Sequence, residues 1–145
     1  MRSFKSLAAA AFALLTFLFL VPATPAHAQL PAYLHAISDL RTAREYLQQD
    51  TRPQFAGVRN NAIAEISRAI DDMKKAAVDD GKNPGHTPPP QSGGDPRKPV
   101  HSALRLLNEA RGDVTRGRDT PQNTGLQMRS LQHIDNARRA LQSIV

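Results

Sequence analysis

Four segments of this chain repeat apolar residues at spacings of three and four, a period that suits one face of an α-helix and no strand. The first spans Pro31 to about Leu47 and aligns Tyr33, Ile37, Leu40, Ala43 and Leu47. Pro31 suits a first helical turn, where its missing N–H is no loss. The second runs from about Phe55 to Asp80, with Val58, Ala62, Ile63, Ile66, Ala69, Ile70, Met73 and Ala77 in register, and Gly81 follows as a left-handed stop. The third begins after Pro99 and carries Val100, Ala103, Leu104, Leu107, Ala110 and Val114. The fourth starts between Pro121 and Gln127 and carries Leu131, Ile134, Ala137, Leu141 and Ile144.

The connections group these segments in pairs. Gln48–Gln54 and Arg116–Asn123 read as short turns, so residues 29–80 and 100–145 form two αα-hairpins. Between them, residues 81–99 hold six of the eleven prolines and almost nothing apolar, which predicts a long surface connector, extended or mobile. The hairpins also resemble each other. A shift of 67 superposes Ala36-Ile37 on Ala103-Leu104, Leu40 on Leu107 and Ala43-Arg44 on Ala110-Arg111. A shift of 68 superposes Ile63 on Leu131, Ile66 on Ile134, Ala69 on Ala137 and Met73 on Leu141. Each hairpin alone exposes an apolar face, and packing the two together buries both. The expected fold is all-α: a four-helix up-down bundle of two similar αα-hairpins joined by a Pro/Gly-rich connector.

The start of the chain predicts an address. Arg2 and Lys5 precede the apolar run Leu7–Val21, and Ala26 and Ala28 then stand in the small-x-small arrangement of a signal-peptidase site. The run is shorter than the roughly 20 residues of a spanning helix and is stopped by Pro22 and Pro25. Residues 1–28 are therefore expected to be a signal peptide cleaved after Ala28, leaving residues 29–145 as a periplasmic or secreted domain without a transmembrane segment. The chain has no cysteine, so neither a lipid anchor, nor disulfides, nor a thiolate metal site is expected. The leader holds two basic residues and no acid, so the formal charge of +6 falls to +4 on cleavage.

Enzyme signatures are missing. There is no G-x-S-x-G elbow, phosphate loop or dinucleotide fingerprint. Di-iron bundles use Glu-x-x-His pairs, and Glu45, Glu65 and Glu109 have no histidine three residues on. Covalent haem needs cysteines, and His133 lies about 100° off the Leu131–Ile134–Leu141 stripe, which predicts a solvent-facing side chain. The second hairpin is arginine-rich (Arg105, Arg111, Arg116, Arg118, Arg129, Arg138 and Arg139), but few aromatics accompany it, which argues against nucleic acid. A solvated bundle face is the expected reading, and weak attraction for anionic lipid or polymer is the alternative.

One pair of residues breaks a local rule. Asp79 and Asp80 end the second helix, where the macrodipole favours cations. If the helices alternate up-down-up-down, that end shares a pole with the starts of the first and third helices. His35, His86, His101, Asp79 and Asp80 would then gather there, a ligand set suited to zinc, copper or nickel. Leu34-His35-Ala36 and Val100-His101-Ser102-Ala103, each opening an Ala-rich amphipathic helix, resemble the pattern of small bacterial periplasmic metal-binding four-helix proteins. The resemblance covers the helices and implies the bundle fold. That family's repeated His-Ala units are not matched, since four histidines follow the leader. The expected function is that of an exported, non-enzymatic bundle of the bacterial cell envelope, binding an unknown protein or envelope component or serving as structure, without a cofactor. A periplasmic divalent-metal binder is the alternative.

Overall fold

The computed structural model describes residues 32–117 and 123–145. The expected leader and its cleavage site lie outside the described residues. The four periodic segments fold as helices α1 (Ala32–Gln49), α2 (Ala56–Asp79), α3 (Pro99–Arg116) and α4 (Thr124–Gln142). A single 3-10 turn at Pro53–Phe55 leads into α2. The turn before it is held by Asp50, whose buried carboxylate accepts from the Arg52 backbone N–H at 3.1 Å and pairs with the Arg52 guanidinium at 2.9 Å. Hydrogen bonding from Arg52 outweighs the opposing effect of burial and holds the Asp50 carboxyl below its ordinary range. Helix α2 stops as expected: Gly81 takes φ +68°, and its N–H and that of Lys82 bond back to Val78 and Ala77. These two bonds satisfy carbonyls that a helix end otherwise orphans.

The all-α bundle built from two hairpins is what the structure shows. The largest fully buried side chains include Ile37, Leu40, Leu47, Ile66, Ile70, Leu106, Leu107, Ile134 and Leu141. Alanines 36, 43, 62, 69, 77, 103, 110 and 137 are wholly inaccessible, and their small side chains let the helices approach closely. Most apolar positions superposed by the shifts of 67 and 68 are equivalent in burial, Ile37 (fully buried) and Leu104 (partly buried) being an exception. Leu40 and Leu107, Ala43 and Ala110, Ile66 and Ile134, and Ala69 and Ala137 are all fully buried.

The helix directions depart from strict alternation. Tyr33 (start of α1), Asp80 (end of α2), Gly117 (end of α3) and Asn123 (start of α4) line one cavity. Gln49, Pro99, His101 and Ile144 line a cleft at the other pole. Helices α1 and α4 therefore run one way, and α2 and α3 the other. Helix α1 packs most extensively on α3, and α2 on α4. All neighbouring pairs are antiparallel. This is the arrangement of two hairpins related by a pseudo-twofold axis, in which each helix packs on its own repeat equivalent. Glu65 and His133, superposed by the shift of 68, touch each other at 2.8 Å, as residues near such an axis must.

The connector must then travel the length of the bundle, about 27 Å for an 18-residue helix. It lies along α1 and α3 as a strap held by polar bonds. Arg41 donates to Thr87 Oγ1 at 3.2 Å and to the Pro84 carbonyl at 3.4 Å. The Gly94 N–H donates to the Tyr46 hydroxyl at 2.9 Å, and the Asp95 N–H to Ser102 Oγ at 2.8 Å.

Candidate functional site

The five residues expected to form a metal site are not brought together. Asp79 is exposed and Asp80 half-buried at the end of α2, and His35 is half-buried on the first turn of α1. His86 is exposed on the strap. His101 lies at the opposite pole, because the strap delivers the start of α3 there and not beside the end of α2. Among the described residues no three His, Asp or Glu side chains are grouped to hold a metal ion.

The carboxylates at the end of α2 have a different explanation. Since α4 runs antiparallel to α2, Asp80 sits beside the start of α4, where the helix dipole is positive. Its Oδ1 accepts from Asn123 Nδ2 at 2.9 Å. Burial and the adjacent Asp80 charge push the Tyr33 phenol up to about 12. Tyr33, Met73, Ala76, Asp80, Asn123 and Gln127 line a cavity of about 30 Å³ at this pole, room for little more than a water molecule.

The densest polar group was not foreseen. Asp39 on α1 is fully buried, and Asp113 on α3 is 5% exposed. A single strap residue joins them: the Gln91 backbone N–H donates to Asp39 Oδ1 at 2.9 Å, and its side-chain amide donates to Asp113 Oδ2. The Ser92 hydroxyl donates to the Glu109 carboxylate, 2.8 Å from each oxygen. Arg116 answers Asp113 at 2.6 Å. Asp39 Oδ2 and the neighbouring His35 Nδ1 are buried without a hydrogen-bond partner among the described residues. Burial, together with the Glu109 and Asp113 charges, pushes the Asp39 carboxyl up to about 6, against the opposing pull of the Gln91 N–H and His35. Asp39 and Asp113 each stand next to an apolar stripe residue, Leu40 and Val114. In the sequence that adjacency reads as the polar edge of a helix, and only the strap closes over it.

A second polar group ties α2 to α4. Glu65 accepts from Asn136 Nδ2 at 3.1 Å, pairs with His133 Nδ1 at 2.8 Å and meets Arg68. Burial raises the Glu65 carboxyl, but these hydrogen bonds and the His133 and Arg68 charges outweigh it and leave the group below its ordinary value. His133 therefore faces α2, not solvent as expected, because α4 is packed on two sides and its covered arc is wider than its apolar stripe. Arg129 reaches Asp72 at 3.3 Å along the same seam.

The outer surface is basic where the strap meets α3. A cleft of about 380 Å³ is lined by Arg52, Arg97, Lys98 and His101, and an adjoining one of about 430 Å³ by Lys98, His101 and Arg105. Asp50 in the first is engaged by Arg52, and Asp95 in the second accepts from the Arg97 N–H. The exposed side chains of Arg97, Lys98 and Arg105 make no ion pair among the described residues, and none of the described helices is long and apolar enough to cross a membrane. Comparison with family models, with curated proteins and with solved structures finds no match to this chain.

Proposed function

We infer that this chain is an exported, non-enzymatic helical bundle of the bacterial cell envelope that binds an anionic envelope component. The leader pattern at residues 1–28 supports the address. The observation that carries the binding role is the cationic rim of Arg97, Lys98, His101 and Arg105 around two adjoining clefts at one pole. The buried carboxylates are spent on internal ties, whereas these cations point outward. Mutual repulsion among them is relieved by an anionic partner.

The test uses residues 29–145 with vesicles of phosphatidylglycerol and of phosphatidylcholine. Sedimentation with the anionic vesicles is expected at low salt, to fall as salt rises, and to be lost in the triple variant Arg97→Glu, Lys98→Glu, Arg105→Glu. Equal binding by the triple variant removes the assigned surface. Turnover of a small substrate, abolished by one polar substitution, removes the non-enzymatic reading.

A further inference from the structure

We propose that the strap over α1 and α3 is a proton-responsive latch: it is closed while Asp39 carries a proton and loosens around Gln91 when Asp39 ionises. The geometry is a convergence of three carboxylates on one short stretch of chain. Asp39 holds the Gln91 backbone, Asp113 holds the Gln91 side chain, and Glu109 holds Ser92. Every group that faces Asp39 can be named. His35 lies one turn earlier on α1, Glu109 and Asp113 stand on α3, Arg116 is bonded to Asp113, and the strap supplies the Gln91 amide. With all three acids ionised, three negative charges share a covered site in which Arg116 is the one cation hydrogen-bonded to them among the described residues.

Asp39 is the member that cannot tolerate this. One of its oxygens has a hydrogen-bond donor and the other, also buried, has none. A proton on that second oxygen removes a desolvated charge and leaves the Gln91 acceptor in place. When the proton leaves, the charge is stabilised by water, and water reaches it only if the strap lifts. Residues 88–95 are the part that can lift, since their ties to the helices are polar and they bury no large apolar side chain. The Gln91 N–H bond by itself favours the ionised form, but burial is the larger effect and sets the direction. A carboxyl near 6 when covered and near 3.8 when free shifts the open-to-closed ratio by at most roughly a hundredfold between mildly acid and neutral pH. A chain outside the cytoplasm is exposed to such changes.

The experiment is amide hydrogen exchange on residues 29–145, with intrinsic rates divided out, from acid to neutral pH. The Gln91 and Gly94 amides report the latch, and core amides such as Leu40 report global opening. Protection at Gln91 and Gly94 is expected to fall by ten- to a hundredfold as pH rises through about 6, with core amides changing less. In Asp39→Asn the fall is expected to vanish. In Glu109→Gln, which removes one charge that raises Asp39 and leaves Asp39 in place, Asp39 ionises more readily within the closed state, so the fall is expected to shrink and to be complete at lower pH. A wild-type profile that is flat at both amides overturns the latch, as does an unchanged profile in Glu109→Gln. If Asp39→Asn does not fold, the wild-type profile and the Glu109→Gln profile decide the question.

Discussion

Single residues at the strap carry consequences that their neighbours do not. A Cβ added at Gly94 would clash with the hydroxyl-bearing edge of the Tyr46 ring, whereas one added at Gly93 meets nothing within 4 Å. Gly94→Ala is therefore expected to lift the strap end from α1 and cost about 1–3 kcal/mol, the range for losing a buried hydrogen bond together with local packing. Gly93→Ala is expected to be neutral, and urea midpoints of the two variants check the contrast. Gly81 was legible beforehand, because a glycine after a periodic segment signals a left-handed stop and its φ of +68° bears this out. Asp39 was not legible. Its burial comes from a segment 52 residues away, and no local pattern announces that contact.

The helices themselves were legible from their period, with the ends of α1 and α2 placed to within a residue or two and the start of α4 only to a window that contains Thr124. What the period understated was how much of each helix is covered. On α4 the stripe Leu131, Ile134, Ala137 and Leu141 leaves His133 at its margin, and α2 then covers that margin with Glu65. Glu65→Ala removes the partner of His133, Asn136 and Arg68 at once. It is expected to destabilise the fold by about 1–3 kcal/mol, the cost of leaving buried polar groups unsatisfied. A double-mutant cycle with His133→Ala should return a coupling between the two helices above about 0.5 kcal/mol. Additive effects would show that the contact contributes nothing of its own.

At the scale of the molecule, two sets of carboxylates pull stability in opposite directions with pH. Glu65, Asp50 and Asp135 (on α4, its burial outweighed by pairing with Arg111 and Arg138) are held below their ordinary values, so what they contribute is present above the unfolded-state range and is lost as acid protonates them. Asp39 is raised to about 6, so the folded chain keeps a proton that the unfolded chain has released above about 3.8. Its stabilising effect is complete below that lower value and is lost as pH rises through about 6, by no more than about 3 kcal/mol. Stability to urea is expected to peak in mildly acid solution and to decline toward neutrality, and Asp39→Asn should remove that decline. A wild-type midpoint that rises steadily to neutral pH would contradict this assignment. The sequence by itself determined the four helices, their pairing into hairpins and the repeat at 67 and 68, because periodicity, prolines and short turns are local properties. It left open which pole receives α3, since a proline-rich connector of this length can either turn back or run the length of the bundle. Only tertiary packing decided that. The structure packs α1 against α3 and α2 against α4 in antiparallel pairs, which sends the strap along the bundle. That one choice separates His101 from His35 and Asp80, pairs Glu65 with His133, and buries Asp39 beneath Gln91.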